Sequence, residues 1–405
     1  MLNRSLEEQK IRNVILLGIL LAFLIMLRRW YAYWVVSFFI ATVAERLLIL
    51  FPRFYFHGKK YLPTATNVLV MGVTSVAVFF AVAGPIAVRM ITSDYADLYS
   101  AYKSAGSTAA SFYRLYAHFG PFISTLCVLA LVSGIYGKTT RSLSIFLFIH
   151  FLSVTLLFSR VQDFGFQHLY LIMPSMILLT SIFMIRVFTL LKGIPLKTIL
   201  LTSYICLSLC QLSVMFSQQV SDYFVKLVPL FSRHKHYPLV RNDLQEMHNL
   251  LNVLTPILKD EGTSAYVPAS SIIFSDDILR NACLQFAFPK TVCDRILTSH
   301  HVDKRDGFPK QFLSATHVVV AKPIQYHLRH EDQRVVGILA EEMLNSKGIG
   351  SSLERLPYEF TLDDNVRVYI YKKVRPYKEA DLLAMEKRFL SYYPDRKDLF
   401  DVVNR

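Results

Sequence analysis

The sequence predicts a polytopic α-helical membrane protein of about seven spans with a C-terminal extracytoplasmic α/β domain. Three observations carry that prediction. The 405-residue chain is 53% hydrophobic and only 18% charged, against about a quarter charged in an ordinary soluble domain. Its apolar residues gather into runs of roughly 20, the length that crosses about 30 Å of hydrocarbon. Its charge is also unevenly divided: residues 1–220 hold 18 Lys/Arg and 6 Asp/Glu, whereas 221–405 hold 26 and 24. The net +14 therefore sits almost wholly in the apolar half. Cations between apolar runs set membrane topology, so the charge is no argument for a nucleic-acid partner. The composition also excludes a disordered, collagen-like or small disulfide-stapled chain. The expected organisation is a transmembrane helical domain over 1–220, a juxtamembrane segment with an amphipathic helix over 221–260, and an α/β domain over 261–405.

The expected spans are 11–27, 31–51, 67–89, 119–137, 142–159, 168–190 and 197–216, each bounded by charges or turn residues such as Arg28-Arg29, Arg89, Lys138 and Lys192-Gly193. The first run lacks a small-residue cleavage site and runs into Arg28-Arg29-Trp30, so it reads as a retained anchor. With the N-terminus inside, the cytoplasmic segments carry 11 Lys/Arg and the outer loops 6, which favours that orientation. An odd number of spans then places the N-terminus in the cytoplasm and the tail outside. An interfacial or re-entrant helix among the seven would reverse the tail.

In the hydrophilic half, Asn242 or Asp243 is expected to cap a helix with Leu244, Met247, Leu250, Leu251, Leu254, Ile257 and Leu258 on one face. Gly262 ends it. Residues 264–274 read as one or two strands and 275–287 as a capped helix. The apolar run 316–323 suits a strand covered on both faces. A charged helix over 331–348 closed by Gly348, an alternating strand at 367–373 and a helix at 378–390 complete a small layered sheet. Cys127, Cys206 and Cys210 fall in spans as small hydrophobes. Cys283 and Cys293 pair in an oxidising compartment or stand as two thiols. No dinucleotide, Walker, nucleophile-elbow or zincin motif occurs. The histidines His234, His236, His300, His301, His317, His327 and His330 of this half show no metal-ligand spacing, although His327 and His330 could share a helical face.

Polar side chains near membrane depth are costly, so they draw attention first. The turn 159–170 places Arg160, Gln162, Asp163, Gln167, His168 and Tyr170 within about two helical turns of the interface. Arg160 and His168 suit a lipid-linked phosphate, with Asp163 as base or orienter of His168. An interfacial turn with an aromatic belt explains the same residues. The outer loop 92–118 offers Asp94 and Asp97 with Tyr95, Tyr99 and Tyr102, as sugar-binding sites do and as an interfacial helix also would; Arg114 and His118 end it. Glu45-Arg46 reads as a packing pair, and Arg53, His57, Lys59 and Lys60 as an inner-face anchor.

The order of parts, with the late turn QHLYLIMPSMILL at 167–179, resembles the C-terminal part of the GT-C membrane glycosyltransferases, the superfamily of protein mannosyltransferases and lipid A aminoarabinose transferases. Many members carry a basic residue, an aromatic-apolar stretch and a proline entering a late span; His168, Tyr170 and Pro174 stand in comparable places. The resemblance covers about 30–220 by architecture and the tail by general type. It implies transfer of a sugar from a polyprenyl-phosphate carrier to a glycan, lipid or protein acceptor at the outer face of the cell membrane. An acid deprotonates the acceptor, and cations neutralise the departing phosphate. The partners implied are the lipid-linked donor and membrane lipids, with no obligatory cofactor and a divalent metal left open.

That superfamily keeps its catalytic acid in the first outer loop. Here that loop is Arg28-Arg29 with flanking aromatics, and Glu7, Glu8 and Glu45 are poorly placed. The chain is thus expected to be the back portion of a longer enzyme, a divergent member, or a partner without the chemistry. Asp94, Asp97 and Asp163 are the local substitutes as catalytic acids. Arg160, Gln162, Gln167, His168 and Tyr170 are expected to bind substrate. The alternative is a non-catalytic membrane-anchored assembly or binding protein that uses the α/β tail. A secondary transporter is disfavoured by the lack of an inverted repeat.

Overall fold

A computed structural model describes residues 10–50, 62–103, 107–224, 228–232 and 240–403. Glu7, Glu8, the basic group Arg53, His57, Lys59 and Lys60, and His234 and His236 lie outside the described residues. The chain divides into two compact units: 1–96 with 103–238, and 97–102 with 239–405.

The first unit is helical: α1 (Ile11–Leu27), α2 (Tyr31–Leu50), α3 (Leu62–Ala83), α4 (Pro85–Thr92), α5 (Thr108–Tyr136), α6 (Arg141–Ser159), α7 (Met173–Leu190) and α8 (Ile194–Phe216). Among the described residues, α2, α3, α5, α6, α7 and α8 are long and apolar enough to cross a membrane; α1 is a shorter apolar helix of 17 residues. The protein is thus a polytopic helical membrane protein. Helix α1 packs on α3, α2 on α6, and α5 on both α6 and α7.

Several spans differ from their sequence limits: α7 begins at Met173 rather than 168, because Phe166–Leu171 forms a 3₁₀ turn, and α8 begins at Ile194 rather than 197. The run 67–89 is cut at Gly84, which takes φ +51 before Pro85 and starts α4 afresh. The run 119–137 starts eleven residues early, because α5 includes 108–118 and bends at Gly120-Pro121. Gly120 has φ +72, and the backbone of Phe231 and Ser232 fills the place a Cβ would take. A glycine is needed there on both counts.

Buried polar residues stitch the helices together. One ring nitrogen of His150 faces the Ser175 hydroxyl at 2.9 Å and the other the Trp34 carbonyl at 3.3 Å, joining α6, α7 and α2. Glu45, 4% exposed, accepts from the Ser142 hydroxyl and lies 3.5 Å from Arg46. At the α5–α6 hairpin, Arg141 donates to the Ile135 carbonyl at 2.8 Å. A side chain that finds a partner on the next helix avoids the cost of leaving a polar group in hydrocarbon.

The second unit is a sheet between helical layers. Its strands are β1 (Ala265–Tyr266), β2 (His317–Lys322), β3 (Leu353–Leu362) and β4 (Val366–Lys373), in the order β1-β2-β4-β3 among the described residues. β1 and β2 are parallel; β2–β4 and β3–β4 are antiparallel. On one face Val319, Ala321, Val368 and Ile370 pack with α9 (Leu244–Ile257) and α10 (Asp276–Gln285). On the other Val318, Val320, Tyr369 and Tyr371 pack with α11 (Arg334–Asn345) and α12 (Glu379–Tyr392). The continuous apolar run of β2 reflects cover on both faces.

Most expected elements appear, with local corrections. Within 264–274 only Ala265–Tyr266 forms a strand: Pro268 lacks a donor, and the Ser271 hydroxyl takes the amides of Ile273 and Phe274. Asp243 precedes α9 but caps nothing with its side chain; it pairs with Arg241 at 2.7 Å and accepts from the Asp363 amide at 2.8 Å. Helix α11 is shorter than 331–348 and stops at Ser346, φ +52, before Gly348. Strand β3 has no counterpart among the expected elements. Cys283 and Cys293 form a disulfide with Cα atoms 5.6 Å apart, whereas Cys127, Cys206 and Cys210 are free.

Candidate functional site

The site is assembled at one end of the helical unit from three stretches: the α1–α2 link, the segment around Tyr95, and the turn between α6 and α7. The link is short because Arg28 leaves the helical region and α2 restarts at Tyr31. It buries Trp30 (5% exposed) and leaves Arg28 and Arg29 exposed. Trp30 is the keystone. Its indole meets Phe158 at 5.5 Å, Tyr33 and Tyr95 at 6.0 Å, and the His168 ring at 6.1 Å between centroids. The guanidinium of Arg29 lies 4.7 Å from the Trp30 ring and 5.5 Å from Tyr95; that of Arg28 lies 5.0 Å from the Tyr170 ring.

The turn itself is rigidly held. Arg114 of α5 pairs with Asp163, a ring nitrogen of His118 faces the Phe164 carbonyl at 3.3 Å, and Lys103 donates to the Arg160 carbonyl at 3.2 Å. His168 is buried in a 3₁₀ turn, Phe166–Leu171, ahead of α7. Its Nδ1 accepts from the Gly165 amide at 3.3 Å, so the proton of the neutral ring sits on Nε2. The Gln162 amide group lies against that nitrogen, its Nε2 at 3.1 Å. Burial, reinforced by Arg28, pushes the His168 pKa down to about 4. His168 is therefore a neutral strut of the turn at pH 7.

The remaining expected residues are distributed differently. Tyr170 packs on Tyr31 at 5.0 Å; its buried hydroxyl has no hydrogen-bond partner among the described residues, and burial raises its pKa against the pull of Arg28. Arg160 is exposed, and the Gln167 side chain folds over Gly165. Asp94 is exposed and accepts from the Ala96 amide at 3.0 Å, directly before Tyr95. Asp163 is engaged by Arg114. Asp97 belongs to the second unit, where Lys304 at 3.0 Å and Arg396 hold its carboxylate.

Arg160, Gln162, His168 and Tyr170 thus share one neighbourhood, as their spacing suggests. Arg28, Arg29, Trp30 and Tyr33 are not among the residues expected to bind. Their signal was the dense RRWYAYW run immediately after an apolar segment. An apolar cavity of about 360 Å³ adjoins the turn between α5, α7 and α8, lined by Phe119, Phe166, Leu169, Met176, Leu212 and Phe216 among others. Arginines laid on aromatic rings can hold an anionic head, and the apolar cavity, lined by Phe166 and Leu169 of the same turn, can take hydrocarbon. Among the described residues no group of three or more His, Cys, Asp or Glu side chains is arranged to hold a metal ion. No family model, curated protein or solved structure matches this chain.

Proposed function

We propose that the protein is a membrane glycosyltransferase-like protein of the GT-C kind. It would transfer a sugar from a polyprenyl-phosphate carrier to an acceptor hydroxyl at the outer face of the membrane. The observation that supports this most is the placement of Arg28 over Tyr170 and of Arg29 over Trp30 and Tyr95, with an apolar cavity lined by Phe166 and Leu169 of the neighbouring turn. In this reading the acceptor oxygen attacks the anomeric carbon, its proton passes to a carboxylate, and the bond to the carrier phosphate breaks. The arginines neutralise the phosphate as it leaves. Asp94, exposed and adjacent to Tyr95, is the acid best situated to take the proton. His168 and Gln162 keep the turn in shape. The Cys283–Cys293 disulfide supports an oxidising, extracytoplasmic setting for the α/β unit.

The test is binding of a short-chain polyprenyl phosphate to the purified full chain in detergent, compared with the corresponding alcohol. The phosphate is expected to bind at least tenfold tighter. Arg28→Ala, Arg29→Ala and Arg160→Ala should each erode that preference, and the triple variant should abolish it. Equal binding of phosphate and alcohol by the unaltered protein sinks the reading. A scaffold role for the same fold is favoured by one observation: Asp97 and Asp163 are both held by cations.

A further inference from the structure

The α/β unit carries a polar cluster of its own, and topology explains its place. The chain leaves β1, passes through α10 on one face of the sheet and returns at Ile296, which bridges Ala265 in parallel. It then crosses by way of Phe308 and Phe312 on the opposite face and enters β2 along the other edge of β1. The strand order thus reverses at β1, and the carboxyl end of such a point is where open α/β sheets take ligands. Three segments leave that end: 267–271 after β1, 297–301 after the bridge and 323–327 after β2. Buried Gln333 ties them together. Its Nε2 lies 2.8 Å from both the Ser270 hydroxyl and the His301 carbonyl, and 3.1 Å from His327 Nδ1. The His301 and His327 rings stand 5.7 Å apart. Asp276, 1% exposed, faces His301 Nε2 at 2.9 Å and accepts from the Ser299 amide at 2.9 Å. A carboxylate only accepts, so Nε2 carries the proton of the neutral ring and Nδ1 keeps its lone pair. Nδ1 has no hydrogen-bond partner among the described residues, and the His301 side chain is 19% exposed. The charges beside it are spent on each other: Asp306, which accepts the His301 amide, is held by Arg305 at 2.6 and 2.8 Å.

We propose that this end of the sheet binds a neutral saccharide, with His301 Nδ1, oriented by Asp276, accepting one of its hydroxyls. A phosphate or carboxylate would meet a lone pair at Nδ1 and a guanidinium already neutralised. A sugar brings hydroxyls at its edges for that acceptor and C–H faces for the flat imidazoles. The inference stands on the α/β unit alone and does not need glycosyl transfer. Its test is the rate at which diethyl pyrocarbonate modifies His301, read by mass spectrometry on the full chain in a zwitterionic detergent without a sugar head. The probes are methyl α-mannoside, methyl β-glucoside, methyl β-N-acetylglucosaminide and inorganic phosphate. At least one of the sugars should slow modification of His301 about tenfold, while His248 of α9 reacts at its unprotected rate and phosphate does nothing. Protection by none of the sugars, or by phosphate alone, overturns the proposal. Binding of the protecting sugar, followed by saturation-transfer NMR, should weaken about tenfold in His301→Ala, the size of one lost hydrogen bond. Asp276→Asn, which frees the ring to change tautomer, should weaken it as well. Unaltered binding in His301→Ala overturns the role of that ring. The double change Arg28→Ala/Arg29→Ala should leave His301 protection intact whether or not it disturbs phosphate-lipid binding; loss of protection there would move the sugar site out of the α/β unit and overturn the proposal.

Discussion

Arg28 and Arg29 take their significance from the rings beneath them. An exposed guanidinium is mobile and well hydrated, whereas one laid on Trp30 or Tyr170 is preorganised by the ring beneath it. His168 is the opposite case, a polar residue turned inward. Its pKa in the folded protein, about 4, lies below the ordinary value of 6.5. Above pH 6.5 both folded and unfolded chains carry it neutral. As pH falls, the unfolded chain takes up the proton first, so the stability this group contributes is lost between pH 6.5 and about 4. Thermal unfolding in detergent at pH 7.5, 5.5 and 4.5 should show this decline, and His168→Gln should make it shallower. An identical decline in the variant would assign the acid sensitivity to other groups. The joint placement of Arg160, Gln162, His168 and Tyr170 was legible because they lie within one turn. The contribution of the α1–α2 link was not, since only tertiary packing brings Trp30 to His168.

Among the elements, hydropathy located the apolar helices because the bilayer imposes length directly, while their ends depend on single backbone positions. Gly84 divides α3 from α4, and Gly120 bends α5 without ending it. Gly120→Ala should destabilise the helical unit by about 2 kcal/mol or more, adding left-handed strain to a clash with the backbone at 231–232. Gly72→Ala is the control, since its added methyl would meet only the Phe39 ring at 3.7 Å. Equal thermal shifts for the two variants would remove the structural role given to Gly120. In the α/β unit, β2 and β4 announced themselves as apolar or alternating runs. Strand β3 stayed hidden: it is an edge strand with Glu354, Arg355 and Glu359 along it, a proline at 357 and a register shift between Arg355 and Glu359. Those are the features that keep an edge from pairing with another chain, and they erase the alternation that marks a strand.

At the scale of the whole molecule, the uneven charge has a consequence for both units. The helical unit concentrates its cations at loops and span ends, where three of them form the proposed headgroup site. The α/β unit is nearly neutral and offers ion pairs internally, among them those of Lys304 and Arg396 with Asp97. An extracytoplasmic α/β unit, a lipid-phosphate donor and an outer-face acceptor form one consistent proposal. Its most direct test is transfer of radiolabelled sugar from a polyprenyl-phosphate donor in sealed membrane vesicles of both orientations, using the unaltered protein and the Arg28→Ala, Arg29→Ala, Arg160→Ala and Asp94→Ala variants. The account predicts transfer on the face that is outer in the cell, reduced at least a hundredfold by Asp94→Ala and about tenfold or more by each arginine change. Transfer that is indifferent to these substitutions, or no transfer on that face, would contradict it.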